Sequence, residues 1–366
     1  MKSRLLSLLL ILPFILGFVV FSGNNTAWAA LPKFVDVIDY GAKGNGITND
    51  TTAIQNAIND MTEGSALVVP PGNYKIDRII YNPPHHCTWI NYGKFISKGS
   101  AGAAITIGDE NKELSGYNIQ GLYLTTDPAW TDKLDWSKGR IGVRVVNIHN
   151  AYVQFSEVRG YAVNIQFEGI NNRGVAYNEF HLGRIVNGKK GMLVTNSKGG
   201  WCNENSFYTG NFSFDGDVWN TLTTKQRSEL LYLEITPKND DLRFYSPCFE
   251  GYQIKAATVN GSELLFMHPR LEDVGNFTLT ADSHNCKLIT AFGTAEKYED
   301  LGNRNMFINW DKIIFGNGTG ILFGGDFPGG TPNGNVTAGT GSILMDWAGK
   351  VWIKTDSGNA GWRHID

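Results

Sequence analysis

The chain is 366 residues long, with 42% hydrophobic and 18% charged side chains and a net charge of -3. A chain this apolar can bury a core, which excludes disorder along its whole length. With no long basic run, it also lacks the electrostatic footprint of a nucleic-acid-binding protein.

At the N-terminus, Lys2 and Arg4 precede an uncharged apolar stretch from Leu5 to Phe21. Ala27-Trp28-Ala29 then places small residues at the two positions that a signal peptidase reads. Residues 1–29 are therefore expected to be a signal peptide, with the mature chain secreted, extracellular or periplasmic. The stretch is at the low end of membrane-spanning length, but Pro13 and the Ala-x-Ala site favour cleavage. Residues 34–42 follow a short strand-like pattern closed by Gly41, and Lys43 to Gly46 reads as a turn. Ala53, Ile54, Ala57, Ile58 and Met61 recur at helical spacing. Asp50 or Thr51 is placed to cap that helix, and Gly64 to end it. Leu67-Val68-Val69 reads as a buried strand, and Pro70 to Tyr74 as the next turn.

Val37-Ile38-Asp39-Tyr40-Gly41-Ala42, Asn49 to Ile58, and Val68-Val69-Pro70-Pro71-Gly72-Asn73-Tyr74 together resemble the opening of the pectate-lyase-like superfamily. The branch is the one shared by rhamnogalacturonase-like and epimerase-like proteins and by phage tailspikes. The resemblance implies an all-β fold, a right-handed single-stranded parallel β-helix with an N-terminal capping helix. It gives Asp36, Asp39 and Asp50 turn and cap roles. It also implies a polysaccharide partner, brings calcium into view as a family expectation only, with no cofactor required, and through the tailspikes suggests a homotrimer.

The remaining chain supports a solenoid independently. Asn178-Glu179-Phe180 with Gly183 recurs at an offset of 27 as Asn205-Ser206-Phe207 with Gly210, and Pro247 and Glu250 recur at an offset of 22 as Pro269 and Glu272. Unequal coils of this size are what a β-helix gives when its loops vary. Residues 215–229 interrupt the repeat as a projecting loop or short helix. From about Asn317 the sequence turns Gly-rich and ends in alternating strands around Trp352 and Trp362. The expected division is a β-helix over 30–316 and, over 317–366, a linker and small β-hairpin module resembling short C-terminal tail-fibre modules. Cys87, Cys202, Cys248 and Cys286 contain no CxxC pair, which argues against structural zinc. Disulfides and buried free thiols are both open readings.

Hydrolysis of a glycan needs two carboxyl groups, whereas elimination from a uronate needs a base. Glu250 and Glu272 form one candidate pair, expected about 5 Å apart on adjacent coils, with Arg270 and Arg243 to neutralise them and His268 beside them. The second candidate cluster is Glu179, His181, Glu204, Asp215 and Asp217, with Trp201 and Trp219 as sugar-stacking rings. No family catalytic signature transfers to named positions, and no metal ligands can be named. Two functions follow: a secreted polysaccharide-degrading hydrolase or lyase, or a non-catalytic glycan-binding or structural spike.

Overall fold

The computed structural model describes residues from Pro32 to Ile365, apart from 98–101, 128–135, 137–138, 290–291, 294–297, 310–311, 316–318, 324–330, 347 and 357–358. The expected signal peptide and part of the Gly-rich run near the C-terminus lie outside the described residues. From Lys33 the chain forms one compact unit.

That unit is a right-handed parallel β-helix, the hand favoured when twisted parallel strands are linked by crossovers. Each coil adds a strand to a long sheet A, then to sheet B, then to a short sheet C. Sheet A bends sharply. In the middle coils one strand spans the bend, as in Tyr152–Arg159, Glu179–Val186 and Ser206–Ser213. Later coils split there, so that Ser206–Ser213 pairs with both Arg243–Tyr245 and Cys248–Glu250. The part before the bend is called face A1 and the part after it face A2. Glu179 pairs with Ser206 and Glu250 with Glu272, so the two sequence offsets are true coil repeats.

Strand alternation sends one side chain in two to the core. Phe180, Phe207, Phe244 and Phe266 are fully buried in successive coils, with ring centroids 5.2, 4.6 and 4.6 Å apart. A fixed rise between coils makes such stacking almost obligatory when the same position is aromatic in each. Before Phe180 and Phe207 stand Asn178 and Asn205, also buried. Asn178 Nδ2 donates to Asn205 Oδ1 at 2.9 Å, and Asn205 Nδ2 to the Val175 carbonyl at 2.7 Å. They satisfy backbone groups that the corner would otherwise leave unpaired.

The corner into face A1 is turned by one left-handed residue per coil. Asn150, Tyr177, Glu204, Asp241, Glu263 and Asn285 all have φ between 49° and 59°. Two of these six are Asn, which tolerates this conformation best; the other four are Tyr, Glu or Asp. Strain of about 1–2 kcal/mol per residue is tolerated because the flanking strands fix the corner.

Near the N-terminus, α1 (Thr51–Asn59) buries Ile54, Ala57 and Ile58. Asp50 does not cap it by a side-chain bond. Its carboxylate instead accepts from the backbone N–H groups of Lys43 and Gly44, at 2.7 and 3.1 Å, and so closes the preceding turn. The helix stops before Gly64, and Asn45–Asn49, expected partly as a turn, is a strand. At the far end, antiparallel pairing begins where Met306–Asn309 meets Lys312–Phe315. Gly320–Phe323, Ile343–Met345, Val351–Lys354 and Trp362–Ile365 extend the same sheet. Ala338, Leu344, Trp352 and Trp362 form a second small core there.

Candidate functional site

The corner from face A2 to sheet B is tight after Tyr152–Arg159 and after Glu179–Val186. After Ser206–Ser213 it is long and carries α2 (Gly216–Thr221) and α3 (Thr224–Ser228). It is also long after Asn118–Thr126, where Trp136 lies edge-on to Phe214 with ring centroids 6.4 Å apart. The long corner after Ser206–Ser213 therefore overhangs the two short ones on the preceding coils and leaves a notch beside it. A cavity of about 620 Å³ opens there, lined by Arg159, Asn187, Asp215, Asp217, Val218 and Thr221, with Gly216.

The insertion is pinned rather than free. Thr223 forms a capping box with Gln226 at the start of α3. Trp219 stacks on Tyr252 at 4.6 Å, and the Arg227 guanidinium lies 4.5 Å from the Trp219 ring centre. Asp215 precedes α2 but makes no side-chain cap bond. Its carboxylate pairs with Arg159 and accepts from Asn187 Nδ2 at 3.0 Å, while its own N–H donates to Asn187 Oδ1 at 2.8 Å.

Beneath the notch the charges interlock. Glu157 is 7% exposed, an unusual burial for a carboxylate. It accepts from Arg159 Nε at 2.7 Å and from Arg184 Nη1 at 2.9 Å. Arg159 thus bridges Glu157 and Asp215. Burial acts to lower the Arg159 pKa, but the hydrogen bonds and charges of the two carboxylates outweigh it, and the pKa is raised. Tyr123, in register with Glu157 on the preceding coil, is pushed up by burial and then by the Glu157 charge.

Of the residues singled out from sequence, Asp215 and Asp217 come together in this cavity. Asp217 is exposed and has no partner among the described residues. Glu179 does not join them. It lies at the opposite end of the strand that leads to Asn187, on the order of 20 Å away at about 3.3 Å per residue. Glu204 turns a corner with φ 53°. Trp201 sits on sheet C opposite Gly174. Trp219 is engaged by Tyr252 and Arg227, as above, and does not line the cavity. The expected second cluster is therefore divided among three parts of the coil.

Glu250 and Glu272 are cross-strand neighbours, as expected, but beyond the insertion. Glu272 is paired with Arg270, and Glu250 accepts from Asn211 Nδ2 at 3.2 Å. Arg243 does not neutralise them: it lies on face A1 and pairs with Asp241 at 2.9 Å. His268 is an exposed bend residue with φ 55°, bonded through its backbone N–H to the Ile289 carbonyl at 2.8 Å. The sequence reading missed Glu157, Arg159, Arg184 and Asn187. Glu157 and Arg184 pair in register at the same offset, 27, that the Asn-x-Phe repeat carries. Applying that offset to charged residues would have paired them.

Residues 34–229 match the family described as "Rhamnogalacturonase A/epimerase, pectate lyase-like", more than half of the chain. The chain belongs to this pectate-lyase-like family. The matched span contains the whole notch and stops short of Glu250 and Glu272. A segment of 51 residues is 44% identical to exo-poly-alpha-D-galacturonosidase of Dickeya chrysanthemi, covering 14% of this chain and only 8% of that protein. ORF18 of Geobacillus virus E2 superposes with a TM-score of 0.51 and 16% identity, over 91% of this chain and 86% of that one, which shows a shared fold. The Family 28 exopolygalacturonase of Yersinia enterocolitica is similar with a TM-score of 0.33 and 12% identity, over 76% of this chain and 77% of that one. Among the described residues of this family member, no group of three His, Cys, Asp or Glu side chains is placed to hold a metal ion.

Proposed function

We propose that this protein is an exported polysaccharide hydrolase that cleaves its substrate in the notch at the A2–B corner. The observation that carries the reading is that Asp215 and Asp217 face one cavity, in a family whose named members include a rhamnogalacturonase. The short segment shared with a galacturonosidase points the same way. The signal-peptide pattern of residues 1–29 supports export.

Hydrolysis assigns the two carboxyl groups different tasks. Asp215 is fixed in position by Arg159 and Asn187, and this suits it to take a proton from the attacking water. Asp217 is unpaired, and in its protonated form it gives a proton to the leaving oxygen as the glycosidic bond breaks. Arg159 is not suited to act as the base of an elimination, because its guanidinium bridges two carboxylates and its pKa is raised. Asp215→Asn and Asp217→Asn should each lower kcat by about 10²–10⁴-fold, the range for loss of a general acid or base. Glu250→Gln and Glu272→Gln should leave it within a few fold. Activity retained in both notch variants would refute the assignment. A folded protein that binds glycan but cleaves none would favour a binding spike.

A further inference from the structure

The outer surface of a solenoid sheet is normally polar, because only the inner face needs to be apolar. One outward row on face A1 departs from this. His181, Tyr208 and Tyr245, in register on successive coils, form a ladder of half-buried rings with successive centroids 4.8 and 5.0 Å apart. From Tyr245 the register passes to Met267, then Ile289, then Ile308. It crosses into the antiparallel strands through Ile313 and Ile321 and reaches Ile343 and Ile353. Their strand neighbours Phe266, Leu288, Phe307, Leu344 and Trp352 are buried, so the row itself points outward. Ile321, Ile343 and Ile353 are 36, 39 and 37% exposed.

We propose that this stripe is a self-association surface, covered in solution by a second copy of the same chain lying alongside. From Tyr208 to Ile353 it crosses eight strand spacings, about 40 Å at roughly 4.8 Å each. A strip of that length needs only about 20 Å of width to supply the ~800 Å² per partner of a standard interface. The adjoining outward row carries Arg243 and Lys287, which gives an apolar centre a charged rim. No charged residue interrupts the stripe between Tyr208 and Ile353. An identical stripe on a second copy therefore matches it without a counter-charge, as a symmetric contact requires. A polysaccharide is a poor occupant. Sugar sites need convergent polar groups, and the faces of Tyr208 and Tyr245 are turned towards each other.

Sedimentation of the mature chain, from Ala30, tests this, together with an Ile289→Lys/Ile343→Lys variant and a milder Tyr245→Asp variant. The expected result is a wild-type mass that is a multiple of the single chain across the micromolar range. Either variant that retains the wild-type circular dichroism should fall to the single-chain mass. A single-chain wild type overturns the proposal without reference to the variants. So does a folded variant that keeps the wild-type mass. A monomeric wild type that loses glycan binding on either substitution also overturns it and makes the stripe a sugar surface. Hydrolysis in the notch is unaffected by any of these outcomes, because the stripe lies on face A1.

Discussion

Replacing Arg159 by Met removes the cation that bridges Glu157 and Asp215 while keeping most of its aliphatic bulk. Removing one partner of a buried pair costs about 3–5 kcal/mol, mainly because a buried charge is left uncompensated. Here the cost should be smaller. Glu157 keeps Arg184, and Asp215 keeps Asn187, with its side chain 37% exposed. An expected loss of about 2 kcal/mol corresponds to roughly a 30-fold shift in the folding equilibrium. Urea unfolding should show a lower midpoint with an unchanged slope. The diagnostic step is a second substitution. Glu157→Gln should destabilise the wild type, yet in the Arg159→Met background it should restore part of the loss by removing the stranded charge, a coupling of at least about 1 kcal/mol. A stability for Arg159→Met within about 0.5 kcal/mol of wild type, the range of an uninvolved surface substitution, would refute the argument that this network holds the notch together. Strict additivity of the two substitutions would refute it equally.

Three further outcomes are expected. Asn205→Ala strands the Val175 carbonyl and the Asn178 amide; at about 1–3 kcal/mol per unsatisfied group the urea midpoint should fall clearly, and no measurable change would contradict the role given to the Asn pair. All four cysteines are unbridged, and only Cys248 is not fully buried. Burial pushes the Cys202 and Cys286 thiols up to about 12 and about 11, so one thiol per native chain should react with a disulfide reagent at mildly alkaline pH, and two or more without denaturant would be inconsistent with this. Near the C-terminus, burial acts to raise the Asp346 pKa, but the Trp352 indole N–H and the Lys350 and Ala348 backbone N–H groups outweigh it and hold the carboxyl below its ordinary value. A lowered folded pKa means that this support is present above the ordinary aspartate value and is lost as pH falls through the folded one. The Trp352 indole N–H resonance should therefore move in that acid range in wild type but not in Asp346→Asn, and identical titrations would remove the assignment.

The solenoid was legible because its coils repeat. The same stacking that puts Phe180 under Phe207 puts Asn178 beside Asn205, and both appear in the sequence as one offset of 27. Glu250 and Glu272 were correctly read as cross-strand neighbours for the same reason. The notch was half legible. Asp215 and Asp217 stood out because they open the insertion. Glu157, Arg159 and Asn187 belong to different turns of chain from Asp215 and meet it only through the fold. Glu179 was misplaced because sequence offset gives the coil and not the position around it. A full strand, Glu179–Val186, separates face A1 from the A2–B corner, and proximity along the axis does not bring their side chains together. The outward stripe escaped notice because an apolar residue in a strand reads as core from sequence whichever way it points.

The most direct test is turnover of the mature protein, from Ala30, on a panel of acidic and neutral polysaccharides, following reducing ends and the absorbance of unsaturated uronates together. Reducing ends released without that absorbance, and lost in the Asp215→Asn/Asp217→Asn protein, are the predicted result. Absorbance rising with the reducing ends would mean elimination and would contradict the chemistry assigned to the notch. Unchanged release by the double variant would contradict the notch itself.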